Sequence, residues 1–119
     1  MLKWGMAMVA AIGLAACEGG GGFLPEGAVE LPENRVNSFR APSGAFYDMR
    51  TYVVPLQQPY YITVRSARRT LSFERDGRSA GAAAAAYIQT RGCTGPLSRL
   101  SSQDKYDSAN KVWTIVISC

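Results

Sequence analysis

Five arginines, Arg65, Arg68, Arg69, Arg75 and Arg78, fall within fourteen residues of this sequence, just after Tyr60 and Tyr61. Guanidinium groups hold carboxylates and phosphates through two parallel hydrogen bonds, so such a cluster is suited to an anionic partner. Like charges set close together repel, and folding alone gives no reason to gather them. Arg65, Arg68, Arg69 and Arg75 are therefore the candidate binding residues. The plain alternative is a solvated basic face in a chain that prefers arginine to lysine.

Other side chains carry less. Histidine is absent, which removes His-based triads, His proton shuttles and Cys/His zinc sites. Ser101 and Ser102 lie near Lys105, but a Ser/Lys dyad needs a desolvated lysine and this stretch is polar. Asp104 and Asp107 are three apart, yet glycoside chemistry needs a substrate cleft that a domain this small has little room for. The expectation is a protein that is not an enzyme, with no cofactor and no metal site.

Three cysteines are present, at 17, 93 and 119. The first 17 residues read MLKWGMAMVAAIGLAAC: one lysine, then an uncharged, mostly apolar run of 13 residues from Trp4 to Ala16. That run suits a secretory signal, about 7–15 residues, and is too short for a membrane-spanning helix of about 20. Its end, Leu14-Ala15-Ala16-Cys17, resembles the lipobox of bacterial lipoproteins at all four positions. The resemblance implies a diacylglycerol thioether on Cys17, cleavage before it, and acylation of the new amino terminus, palmitate being the label that would report it. Several acyl chains give stable anchoring. The position after the cysteine is Glu18 rather than the aspartate that favours inner-membrane retention in some enteric bacteria, which puts the outer membrane ahead of the inner one.

Export leaves Cys93 and Cys119 as an even pair bound for an oxidising compartment, and no CxxC motif is present. Cys93 follows the one expected helix, and Cys119 shares a strand face with Trp113, Ile115 and Ile117, the face such a helix would cover. A structural disulfide between them is expected. The pI of about 9.2 does not argue for nucleic acid, which an exported lipoprotein rarely meets.

Composition divides the chain into a signal peptide at 1–16, a lipidated Gly/Pro-rich tether at 17–44 and a small domain at 45–119; the alternative for the tether is that part of it, Val36 to Phe39, packs on the domain. Residues 18–34 sum to −4, and residues 35–100, with ten arginines, to +7. Alternation predicts strands over Tyr47–Leu56, Tyr60–Ser66, Thr70–Arg75 and Val112–Cys119, with a shorter one at Pro96–Leu100. The alanine run at 82–86 centres a helix over Arg78–Arg91, capped by Asp76 or Ser79. The fold class is α+β: a mainly antiparallel sheet covered on one face by a single Ala-rich helix, with one disulfide. Strands 60–66 and 70–75 would form an Arg-tipped hairpin, at which reversing Arg68 and Arg69 together should leave stability nearly unchanged.

These readings combine into an expected role: a lipid-anchored protein facing the periplasm, binding or scaffolding within an envelope assembly. Its partners would be the membrane, through the lipid, and an envelope protein or anionic envelope component. A ligand-binding module for such an anion is the alternative, and a small hydrolase or hydrolase inhibitor is a more distant one.

Overall fold

The alternating segments of the sequence do form the centre of a sheet. The structure, a computed structural model, describes residues 23–66 and 68–119. The expected signal peptide, the lipobox-like pattern and the first residues of the expected tether lie outside the described residues. Strands β1 (Val29–Glu30), β2 (Val36–Arg40), β3 (Phe46–Val53), β4 (Tyr60–Ser66), β5 (Ser98–Arg99), β6 (Lys105–Asp107) and β7 (Val112–Ser118) make one antiparallel sheet, and helix α1 (Phe73–Gln89) covers one face. The order is β1-β3-β4-β7-β5, with β2 also on β3 and β6 also on β7. The fold is thus the expected α+β class.

The helix buries Ala80, Ala83, Ala84, Tyr87 and Ile88, a spacing that repeats on one side of a helix. Three alanines bring the backbone close to the sheet, where Met49, Ile62, Val64, Ile115 and Ile117 form a wholly buried floor. Register places these residues on one face: Met49 faces Val64, and Ile62 faces Ile115. At its far end, Tyr87 shares a 2.7 Å hydrogen bond with Thr51 Oγ1 and also donates to the Asn34 carbonyl. Burial holds the Tyr87 phenol above its ordinary pKa, so it stays protonated. Cys93 and Cys119 are joined, with 5.6 Å between their Cα atoms, tying the region beyond the helix to the end of β7.

Two expectations are corrected. Residues 70–75 are not a strand. Ser72 caps α1: its hydroxyl accepts the Arg75 N–H at 3.1 Å, while Asp76 accepts the Ser72 N–H at 2.6 Å. This reciprocal cap, a variant of the capping box one residue longer, starts the helix at Phe73, so the hairpin of 60–66 with 70–75 does not form. The domain boundary at 45 also moves. Residues 29–40, assigned to the tether by composition, pair with β3, and the Leu31 N–H donates to the Thr51 carbonyl at 2.8 Å. Val36 and Phe39 pack on the core although they are three apart, because the β2 register shifts between them.

Gly77 lies inside the helix for a packing reason. A Cβ there would come within 3.0 Å of the Trp113 indole. That ring cannot easily retreat. It stacks on Phe73 at 5.5 Å, meets Tyr106 at 5.3 Å, and donates its N–H to the Ser72 carbonyl at 3.2 Å.

Gly77→Ala should therefore lower stability by about 1–3 kcal/mol in urea denaturation, as overpacking does. Helix propensity alone would raise it by about 1 kcal/mol. The disulfide closes a loop across a sequence separation of 26. The double change Cys93→Ala with Cys119→Ala should cost roughly 3–4 kcal/mol on the loop-entropy account. Non-reduced mass spectrometry of the wild type should show the linked peptide; two alkylatable thiols would contradict it.

Candidate functional site

The arginines singled out by spacing do not share one surface. Arg69 turns inward at the start of α1. Its guanidinium grips Asp76 through bonds of 2.6 and 3.1 Å, and the Asp76 side chain is only 4% exposed. Asp76 also accepts the Ser72 N–H and hydroxyl. These bonds, led by that from Arg69, hold its carboxyl well below the usual range, at about 2. Arg69 is thus a structural cation that locks the helix cap to the end of β4. Arg68, one residue earlier, is exposed and lies over the Phe46 ring at 5.3 Å. The two arginines, with Ser66, Phe46, Tyr47 and Gly44, border an open cleft of about 270 Å³. Ser66 Oγ accepts the N–H of both Arg68 and Arg69 at 3.3 Å, which fixes the turn.

Arg75 is exposed on the first turn of the helix. Arg65 belongs elsewhere: on β4 it alternates with Ile62 and Val64 and so points away from the helix. On that far face the register sets Arg65 opposite Asp48, Arg50 opposite Thr63, and Arg40 opposite Phe46. Lys105 faces Thr114 on the same side. Arg40, Arg50, Arg65, Arg68 and Lys105 enter no ion pair with another described residue. Ion pairs among the described residues include Arg35–Glu30, Arg69–Asp76 and Arg99–Asp104. Among the described residues, register puts the carboxylates Glu30, Asp48 and Asp107 on this face; Glu30 is paired with Arg35, and Asp107 accepts the Ala109 and Asn110 N–H groups of the turn before β7.

Beneath the cations the face mixes polar side chains with buried Tyr52, Val112 and Val116. Thr63 and Thr114 are buried, and both Asp48 Oδ1 and Thr114 Oγ1 are buried without a hydrogen-bond partner. Beside Lys105, residues Phe23, Leu24 and Pro25 lie with Tyr61 and Val116, a cross-strand pair of this same face. The described chain therefore begins on the side of the sheet away from the helix. Arg40 and Arg50 complete the basic face, and sequence reasoning passed over both. Their positions, Arg50 one strand and Arg40 two strands from Arg65, are set by register, which no spacing in one segment reveals.

The remaining sequence candidates are placed apart from any catalytic geometry. Lys105 is exposed, so it lacks the desolvation a Ser/Lys dyad needs. Asp104 accepts the Val116 N–H at 2.9 Å and pairs with Arg99 at 2.9 Å, so it braces the sheet edge. Among the described residues no group of three or more Cys, Asp or Glu side chains could hold a metal ion. No described helix is long and apolar enough to cross a membrane.

Arg68 and Arg69 should now behave differently on charge reversal, against the expectation of joint tolerance. Arg69→Glu sets a like charge against Asp76 and should cost on the order of 2–3 kcal/mol, less than for a fully buried pair because the guanidinium is half exposed. Arg68→Glu should change stability by less than about 0.5 kcal/mol. Because the folded pKa of Asp76 is depressed from 3.8 to about 2, its stabilisation is present above pH 3.8 and fades as pH falls towards 2. Asp76→Asn should flatten the stability–pH curve in that window; an unaltered acid limb would show that the pair contributes nothing.

Compared with protein-family models, curated proteins and solved structures, the chain matches none.

Proposed function

We propose that the chain is a bacterial envelope lipoprotein: acylated on Cys17, held at the periplasmic side of a membrane, the outer one first, and acting there by binding or scaffolding rather than by catalysis. The observation that carries this reading is the joint occurrence of the Leu14-Ala15-Ala16-Cys17 pattern and the Cys93–Cys119 disulfide. The pattern asks for export, and a structural disulfide persists in the compartments that export reaches. The two features lie at opposite ends of the sequence and point to the same location.

A second reading, a module that binds a small anionic envelope component, is favoured by the cleft beside Arg68. It is the weaker of the two, because Asp76 already neutralises Arg69, the other cation there.

The test is acylation. Cells producing the wild type should incorporate labelled palmitate into the protein, which should partition into detergent. Cys17→Ser should abolish both. Equal labelling of the two proteins, or a wild type that stays in the aqueous phase, would overturn the proposal.

A further inference from the structure

We infer that the basic face of the sheet, opposite the helix, docks onto anionic lipid headgroups of the bilayer that holds the anchor; this rests on the lipoprotein reading above. Two observations carry it independently of each other. The first is charge. Arg40, Arg50, Arg65, Arg68 and Lys105 gather on or beside one face, none in an ion pair with a described residue. Such a cluster costs repulsion in solution and is relieved by an anionic surface.

The second is where the chain enters. Phe23, Leu24 and Pro25 lie beside Lys105 and Tyr61, on the basic side. Five residues, Glu18–Gly22, separate Phe23 from Cys17. At about 3.6 Å per residue their span is at most roughly 20 Å. An acylated Cys17 therefore keeps the domain within about its own thickness of the headgroups, with the entry point and the cations on the same side. Phe23, 53% exposed, is an apolar side chain at that entry point, beside Lys105. Contact with the headgroups falls to the cations rather than to the floor, where Thr63, Thr114 and the Asp48 Oδ1 atom are buried.

The mature chain gives a direct probe. Trp4 leaves with the signal peptide, so Trp113 becomes the sole tryptophan. The acylated full-length mature protein is reconstituted into zwitterionic vesicles or vesicles containing phosphatidylglycerol, each with a trace of dansyl-headgroup lipid. Energy transfer from Trp113 should be greater on the anionic vesicles. It should fall to the zwitterionic level when salt rises from about 0.1 M to about 1 M and the screening length shrinks from about 10 Å to about 3 Å. Arg50→Glu with Arg65→Glu should abolish the difference between vesicles, and the milder Arg50→Gln with Arg65→Gln should reduce it. Arg78→Glu, a reversal on the helix, should preserve it.

Protein that floats with both vesicles yet shows the same transfer on each overturns the docking and leaves the anchor standing. Protein that does not float overturns the anchor, and the docking with it. Charge-dependent sedimentation with purified peptidoglycan, without any response to anionic lipid, reassigns the face to the cell wall and overturns the proposal.

Discussion

One helix has to close the core of a sheet several strands wide, and the alanines of α1 are how it does so. Ala80, Ala83 and Ala84 bring backbone close to sheet, and close approach leaves little room at the centre but gaps at both ends of the helix. Aromatic residues fill those gaps. Trp113, Tyr106 and Phe73 close the amino end; Tyr87, Phe39 and Tyr60 close the other. Each buried polar tip among them has a partner. The Tyr106 hydroxyl donates to the Leu71 carbonyl at 2.7 Å, the Trp113 indole to Ser72, and the Tyr60 hydroxyl to the Gly92 carbonyl at 3.3 Å. Rings of this kind supply bulk and a directional contact together, which lets a small core hold one arrangement. Gly77 belongs to the same solution, since it admits the indole.

The sequence was legible where a segment decides its own structure. Tyr60–Ser66 and Val112–Ser118 alternate cleanly and are strands; the alanine run is a helix; Cys93 and Cys119 are paired. It was misleading where a distant contact decides. Thr70–Arg75 alternates as well as β4 does, but Asp76 bonds back to the Ser72 N–H and turns the segment into a helix start. Val36 and Phe39 break the two-residue period, and only the shifted register against β3 restores them to one face. The site divides in the same way. Arginine type and spacing marked Arg65 and Arg68, but the pairing of Arg69 with buried Asp76 needed the fold, as did the approach of Arg40 and Arg50 to Arg65 across strands.

Arginine has two separate uses in this domain. Inward-turned guanidinium groups hold elements together. Arg69 fixes the cap of α1. Arg99 pairs with Asp104 and lies over Gly81, where its guanidinium takes the space a side chain would need. Outward-turned ones leave charge unspent on the face away from the helix. Removal of a carboxylate from the first group would weaken the fold, while the second group is available to a partner without cost to it.

The order of strands has a bearing on when the fold is completed. Strand β7 lies between β4 and the β5–β6 edge, yet it is the last element in the sequence. Its residues Trp113, Ile115 and Ile117 form part of the floor beneath the helix. Until residues 112–118 are available, β4 has an unpaired edge and α1 an incomplete surface to rest on, so the earlier part of the chain has no stable fold of its own to adopt. A fold closed by such long-range pairing acquires its resistance to unfolding only once residues 112–118 have docked.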